Sequence, residues 1–266
     1  MGSTRRRRAA ILVVAAVAVV LLASSCMDRV ALESYLEKLD AIRAQSDQQS
    51  QTLEQELQGL KNGPGAASVL SARLESARRM VLECNKKIKT LGAPQAAQKL
   101  NKLVLELNGE AAAFFAELHG MLDYSGKREP LVAGIQTVSS ELDSTIASNP
   151  APAAVAAALA ASSAKVDGIA AQLGKLKPPS FLEGIHMALL DMLKRYSTSL
   201  NDLKAAVERS DASGINTAQN EIKQALSGNL SEETKKGIEA YNSRIKKIDR
   251  LREQANQEES RITTER

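Results

Sequence analysis

Along most of the chain, apolar residues recur at three- and four-residue intervals, the spacing that gathers them on one face of an α-helix. No segment sustains the alternation that a half-buried strand requires. The pattern therefore predicts an all-α protein, an elongated multi-helix bundle of amphipathic αα-hairpins. Pro64, Pro94, Pro130, Pro150, Pro152, Pro178 and Pro179 fall between the periodic segments, as they should if each marks a boundary. A proline inside a helix removes a hydrogen bond and clashes with the preceding turn. Two further breaks, at Asp211-Ala212-Ser213-Gly214 and Ser227-Gly228-Asn229, consist of turn-forming residues. Eight helices are expected, near 28–62, 67–91, 95–124, 130–148, 152–176, 180–210, 212–227 and 231–262.

The first and last of these are long. Leu32, Leu36, Leu39, Leu53, Leu57 and Leu60 form a heptad-like stripe interrupted by the polar Arg43, Ser46 and Ser50. Ile238, Tyr241, Ile245, Ile248 and Leu251 form another, and Ser231 followed by Glu232 and Glu233 is a suitable N-terminal cap. Either suits a coiled-coil arm. The polar interruption favours a bundle helix packed on its neighbours.

Shifting the chain by 85 positions superimposes much of the middle on itself without a gap. Leu74 falls on Leu159, Val81 on Val166, Cys84 on Ile169, Ile88 on Leu173, Leu91 on Leu176 and Pro94 on Pro179. Past the proline, Leu100 meets Ile185, Val104 meets Leu189, Leu107 meets Met192 and Phe115 meets Leu200. Each unit reads as a helix, a tight proline turn and a longer helix, and one such hairpin cannot bury its stripe alone. An internal duplication is one explanation, and chance similarity between leucine-rich helices is the other.

The N-terminus has a different grammar. Arg5 to Arg8 are followed by an unbroken apolar run from Ala9 to Leu22, then by Ala23, Ser24, Ser25 and Cys26. A basic end, an apolar stretch and small residues are the three parts of an export signal. The segment Leu22-Ala23-Ser24-Ser25-Cys26 resembles the lipobox of bacterial lipoproteins, with Ala23 where that family usually has Leu. The resemblance implies cleavage before Cys26, lipid on its thiol, and a mature chain tethered at the extracytoplasmic face of the cell membrane. The alternative is an uncleaved transmembrane anchor, since the 19 residues from Ala9 to Met27 approach the roughly 20 that span a bilayer. The run Leu173-Gly174-Lys175-Leu176-Lys177-Pro178-Pro179 and the residues after it resemble a segment of uncharacterised helical lipoproteins and surface proteins of bacteria. That resemblance implies a helical bundle and no active residues. The organisation expected is a signal over 1–25, a lipidated N-terminus and long helix over 26–62, helical units over 67–149 and 152–228, and a C-terminal helix over 231–266.

The signal changes how the charge is read. The whole chain carries a formal +4, yet all of it resides in the four arginines of residues 1–25; beyond them 31 Lys and Arg face 31 Asp and Glu. A neutral body gives no basic surface for nucleic acid. With Cys26 lipidated, Cys84 has no intramolecular partner, so the fold stands without disulfides. Cys84 sits on the apolar stripe, where a small buried hydrophobe is expected. Lys86 and Lys87 beside it would favour a reactive thiolate only if it were exposed.

Chemistry-bearing constellations are few. Glu183 and His186 share a helix face as half of a di-iron site would, but His119 has Ala116 three residues before it, so the second half is missing. No zinc spacing occurs, and hydrolase, phosphate-loop and dinucleotide motifs are absent. No metal, cofactor or catalytic residue is expected. Phe114 falls off the repeat's apolar stripe while Phe115 falls on it, which makes Phe114 the aromatic for a partner or ligand, against a second buried contact. The expectation is a non-catalytic, membrane-tethered helical envelope protein acting through another envelope protein or as a spacer. A bundle holding a small hydrophobic ligand is the alternative, suggested by alanine-rich stretches near Phe114 and Val155.

Overall fold

A computed structural model describes residues 29–45, 48, 51–52, 66–148, 151–226 and 230–264. Among them the protein is all-α, with helices packed as bundles and no strand. Helix α1 includes 29–45, and the described residues 48, 51 and 52 are helical too. It is followed by α2 (Ala66–Thr90), α3 (Gln98–Ala147), α4 (Pro152–Leu173), α5 (Glu183–Glu208), α6 (Ala212–Leu226) and α7 (Leu230–Thr264). The expected export signal, Cys26, the stripe residues Leu53, Leu57 and Leu60, Pro64, Pro150 and the expected break at Ser227-Gly228-Asn229 lie outside the described residues.

Two single 3₁₀ turns introduce the longer helices, Gln95–Ala97 before α3 and Ser180–Leu182 before α5. Their geometry matches at the 85-residue offset. Pro94 lies at φ −64°, ψ 161° and Pro179 at φ −61°, ψ 156°. Ala97 N–H donates to the Pro94 carbonyl and Leu182 N–H to that of Pro179, both at 2.9 Å. One turn earlier, Leu91 N–H donates to Ile88 at 3.1 Å and Leu176 N–H to Leu173 at 2.9 Å. Proline suits this place because its fixed φ is already that of a helix entry and its missing donor is not needed there.

One expected boundary is wrong. The helices anticipated at 95–124 and 130–148 are a single helix, α3, with Pro130 inside it. Proline leaves the carbonyl four residues back without its donor, and here that residue is Gly126. Both residues are exposed, so water can serve the carbonyl and the helix continues. The break before α6 occurs as expected, by a device other than proline. Ser210 takes a left-handed φ of 54°, and Asp211 N–H returns to the Ala206 carbonyl at 2.9 Å. Asp211 then caps α6 by accepting Gly214 N–H at 3.0 Å. Ser231, expected as a cap, lies one residue inside α7, and Ile238 of the last stripe is exposed whereas Leu251 is buried.

The chain forms two compact units, Met1–Phe115 with Lys247–Arg266, and Ala116–Lys246. In the first, α1, α2, the start of α3 and the end of α7 enclose Leu32, Tyr35, Leu36, Leu39, Ile88 and Leu100. Glu258 is 3% exposed there and paired with two cations, Lys99 at 2.7 Å and Arg261 at 2.6 Å. In the second unit, α5 is central: it packs on α4 and α6, and the C-terminal half of α3 adds Ile135, Val138 and Leu142. The start of α7 joins at the 3₁₀ turn through Gly237, which is buried. A Cβ built there would stand 2.6 Å from the Phe181 carbonyl oxygen, so only glycine allows this approach. Tyr241, one turn on, meets Phe181 edge-to-face at 5.8 Å.

Candidate functional site

The residues singled out by sequence do not converge. Glu183 is exposed at the start of α5, whereas His186 is buried and turned away to Tyr124, whose hydroxyl stands 3.1 Å from His186 Nδ1. Burial drives the His186 pKa below its ordinary value and that of Tyr124 above, with the Arg128 guanidinium, 5.8 Å over the Tyr124 ring, opposing the latter. Among the described residues no three His, Cys, Asp or Glu side chains gather as metal ligands. Phe114 and Phe115 are both half-buried on α3 in the first unit, and His119 is half-buried in the second.

Cys84 is also half-buried rather than enclosed in the core as its stripe position suggested. It lines a cleft of about 370 Å³ in the first unit, between α1, α2, α3 and α7. The walls are apolar at Ile42, Val81, Ile88, Val104, Leu107 and Ala255. Arg43, Arg252, Asn108 and Asn256 add polar groups. Arg43 is held by Glu259 at 2.5 Å and Asp40 at 3.9 Å, and Arg252 by Asp249 at 3.2 Å, none of these carboxylates belonging to the lining. Nearby Tyr35 donates to Asn101 Oδ1 at 3.1 Å, and burial pushes its phenol up to about 12.

A polar seam runs between α4 and α5 in the second unit. The Ser163 and Ser197 hydroxyls are 2.9 Å apart, and Asn201 Nδ2 donates to Ser163 Oγ at 2.9 Å. These hydrogen bonds tie α4 to α5 as helix-packing contacts.

The opposite face of α4 is open. Ala154, Ala157, Ala161, Ala164, Gly168 and Ala171 are all exposed, and they follow one another at intervals of three and four residues. That is a heptad seam in which every position is small. By length and composition α4 is apolar enough to cross a membrane, yet Leu159, Val166 and Leu173 on its other face are core residues of the second unit.

The class defined by these helices and their packing is an all-α helical bundle. Beyond the class, no family model matches the chain, and neither does any curated protein or solved structure.

Proposed function

We propose that this is a non-catalytic, membrane-tethered helical protein of the bacterial envelope, anchored through lipid on Cys26, that acts by packing a helix of another envelope protein against α4. The observation that carries the reading is the open seam from Ala154 to Ala171. A solvated helix face is ordinarily charged. In the same chain α7 exposes Glu232, Lys235, Lys236, Glu239, Lys246 and Asp249, whereas the open side of α4 offers only Lys165, Asp167 and Gln172 among its small residues. Helix propensity alone does not require this, because Glu, Lys and Gln are nearly as good as Ala. Small side chains at heptad spacing let a second helix approach closely. The matching proline turns at the 85-residue offset support the further reading that the helical hairpins arose by internal duplication.

The test is cysteine cross-linking in cell membranes, with Ala161→Cys on the seam and Glu221→Cys on the exposed side of α6 as control. The seam position is expected to give a discrete adduct that vanishes when Ala157→Glu and Ala164→Glu are added. Identical adducts at both positions, or indifference to the glutamates, would refute the reading. The anchor is tested separately by mass spectrometry of the membrane-bound N-terminus with Cys26→Ala. An acylated cysteine supports the tether; a chain retaining Arg5 to Arg8 overturns it.

A further inference from the structure

We propose that the cleft among α1, α2, α3 and α7 in the first unit binds a single-chain amphiphile with an anionic headgroup, a carboxylate or a phosphate monoester. The cleft lies in a different unit from the α4 seam, so either proposal can fail alone.

Three features define the ligand. The size, about 370 Å³, falls in the roughly 300–1,000 Å³ range of small-molecule sites. Six aliphatic side chains line it, which suits a hydrocarbon chain and would be wasted on a small inorganic anion. The polar part of the lining holds two guanidinium groups and two amides but no carboxylate, so both charged groups it presents are cations.

The carboxylates that pair with those cations are not part of the lining. Glu259 and Asp40 engage Nη1 of Arg43, and Asp249 engages Nη1 of Arg252. Arginine presents five donors in a planar fork, so a single occupied nitrogen orients the group while the others can meet a second anion. Asn108 and Asn256 can donate to the same headgroup through their amide nitrogens. Cys84 is a bystander in this arrangement, marking the wall and taking no part in recognition.

The full chain in phosphatidylcholine nanodiscs is labelled with three diazirine probes of one chain length: a fatty acid, a lysophosphatidate and the neutral fatty alcohol. Peptides carrying Ile42, Val81 to Ile88, Val104 to Asn108 and Ala255 should be labelled by one or both acids and protected by excess unlabelled acid. Which acid labels better identifies the headgroup. Arg252 is well exposed and its pair with Asp249 is a surface one, so Arg252→Gln leaves the fold intact. That variant should lower labelling by the anionic probe about tenfold, the loss of one charge-assisted hydrogen bond, and leave the alcohol unchanged. Leu107→Trp should fill the cleft and abolish labelling with all probes; if its circular dichroism departs from the parent's, Arg252→Gln decides. Labelling scattered over exposed faces, equal for alcohol and acids, or insensitive to Arg252→Gln would overturn the proposal.

Discussion

The hydroxyl of Tyr124 lies 3.1 Å from Nδ1 of His186 inside the second unit, and the two rings meet edge-to-face at 5.7 Å. The pair joins α3 to α5 across 62 residues of sequence. With Nδ1 unprotonated the imidazole accepts a hydrogen bond from the phenolic O–H, an arrangement that requires neutral histidine.

This gives stability a pH dependence of known sign. Burial holds the folded His186 pKa below 6.5, so below that pH the unfolded chain binds a proton that the folded chain resists. The contribution is whole above pH 6.5 and is lost as pH falls below it. The urea midpoint at pH 5.5 should lie under that at pH 7.5, and His186→Phe should flatten the difference. Parallel profiles for parent and variant would remove His186 from the account.

The same pair should behave as a unit. Tyr124→Phe alone leaves a buried acceptor unpaired and should cost about 1–3 kcal/mol. Tyr124→Phe with His186→Phe should cost less than the two single changes added together, by at least about 0.5 kcal/mol in a double-mutant cycle. Simple additivity would mean that the hydrogen bond contributes nothing.

Pro130 predicts a gain. Replacing it with alanine returns a donor to the Gly126 carbonyl and removes the ring from the middle of α3. Pro130→Ala should stabilise by about 1–3 kcal/mol, read from the denaturation midpoint. A loss would show that the proline shapes α3 for packing.

Gly237 predicts the reverse of what propensity would say. Alanine is the better helix former by about 1 kcal/mol, but its Cβ would meet the Phe181 carbonyl oxygen at 2.6 Å. Gly237→Ala should therefore destabilise by about 1–3 kcal/mol, with Phe181 and Tyr241 moving apart. Gly168→Ala, on open space in α4, is the control and should stabilise slightly.

In the first unit, hydrogen bonds from Arg261 and then Lys99 hold the Glu258 carboxyl down to about 2. A depressed pKa contributes stability above the unfolded value of 4.5 that is lost as pH falls towards 2. Glu258→Gln should be less stable than the parent at pH 7 and converge with it near pH 2. A gap that persists in acid would point to packing instead of charge.

How much of this could be read from the chain depends on the range of the interaction. The turns after Pro94 and Pro179 and the break at Asp211 are set by residues within a few positions, and sequence located them, though not the cap that Asp211 supplies. Pro130 misled because a local rule was met by exposure, which is a property of the folded surface. The Tyr124–His186 and Ser163–Ser197 contacts join residues 62 and 34 apart and leave no periodic trace. The alanines of α4 were visible throughout. Alanine is also the strongest helix former, so composition could not tell an open seam from plain helicity until packing fixed which side of α4 faces outward.

That exposure has a genetic consequence. Changes at Ala157, Ala161 or Ala164 remove no core contact, so variants there should accumulate to normal levels and pass any screen scored by abundance. If the seam is where the protein meets its partner, the same alleles fail in the cell while remaining intact in the tube. A mutational scan read twice, once for protein level and once for envelope integrity, would reveal them as a line of separated phenotypes three and four residues apart.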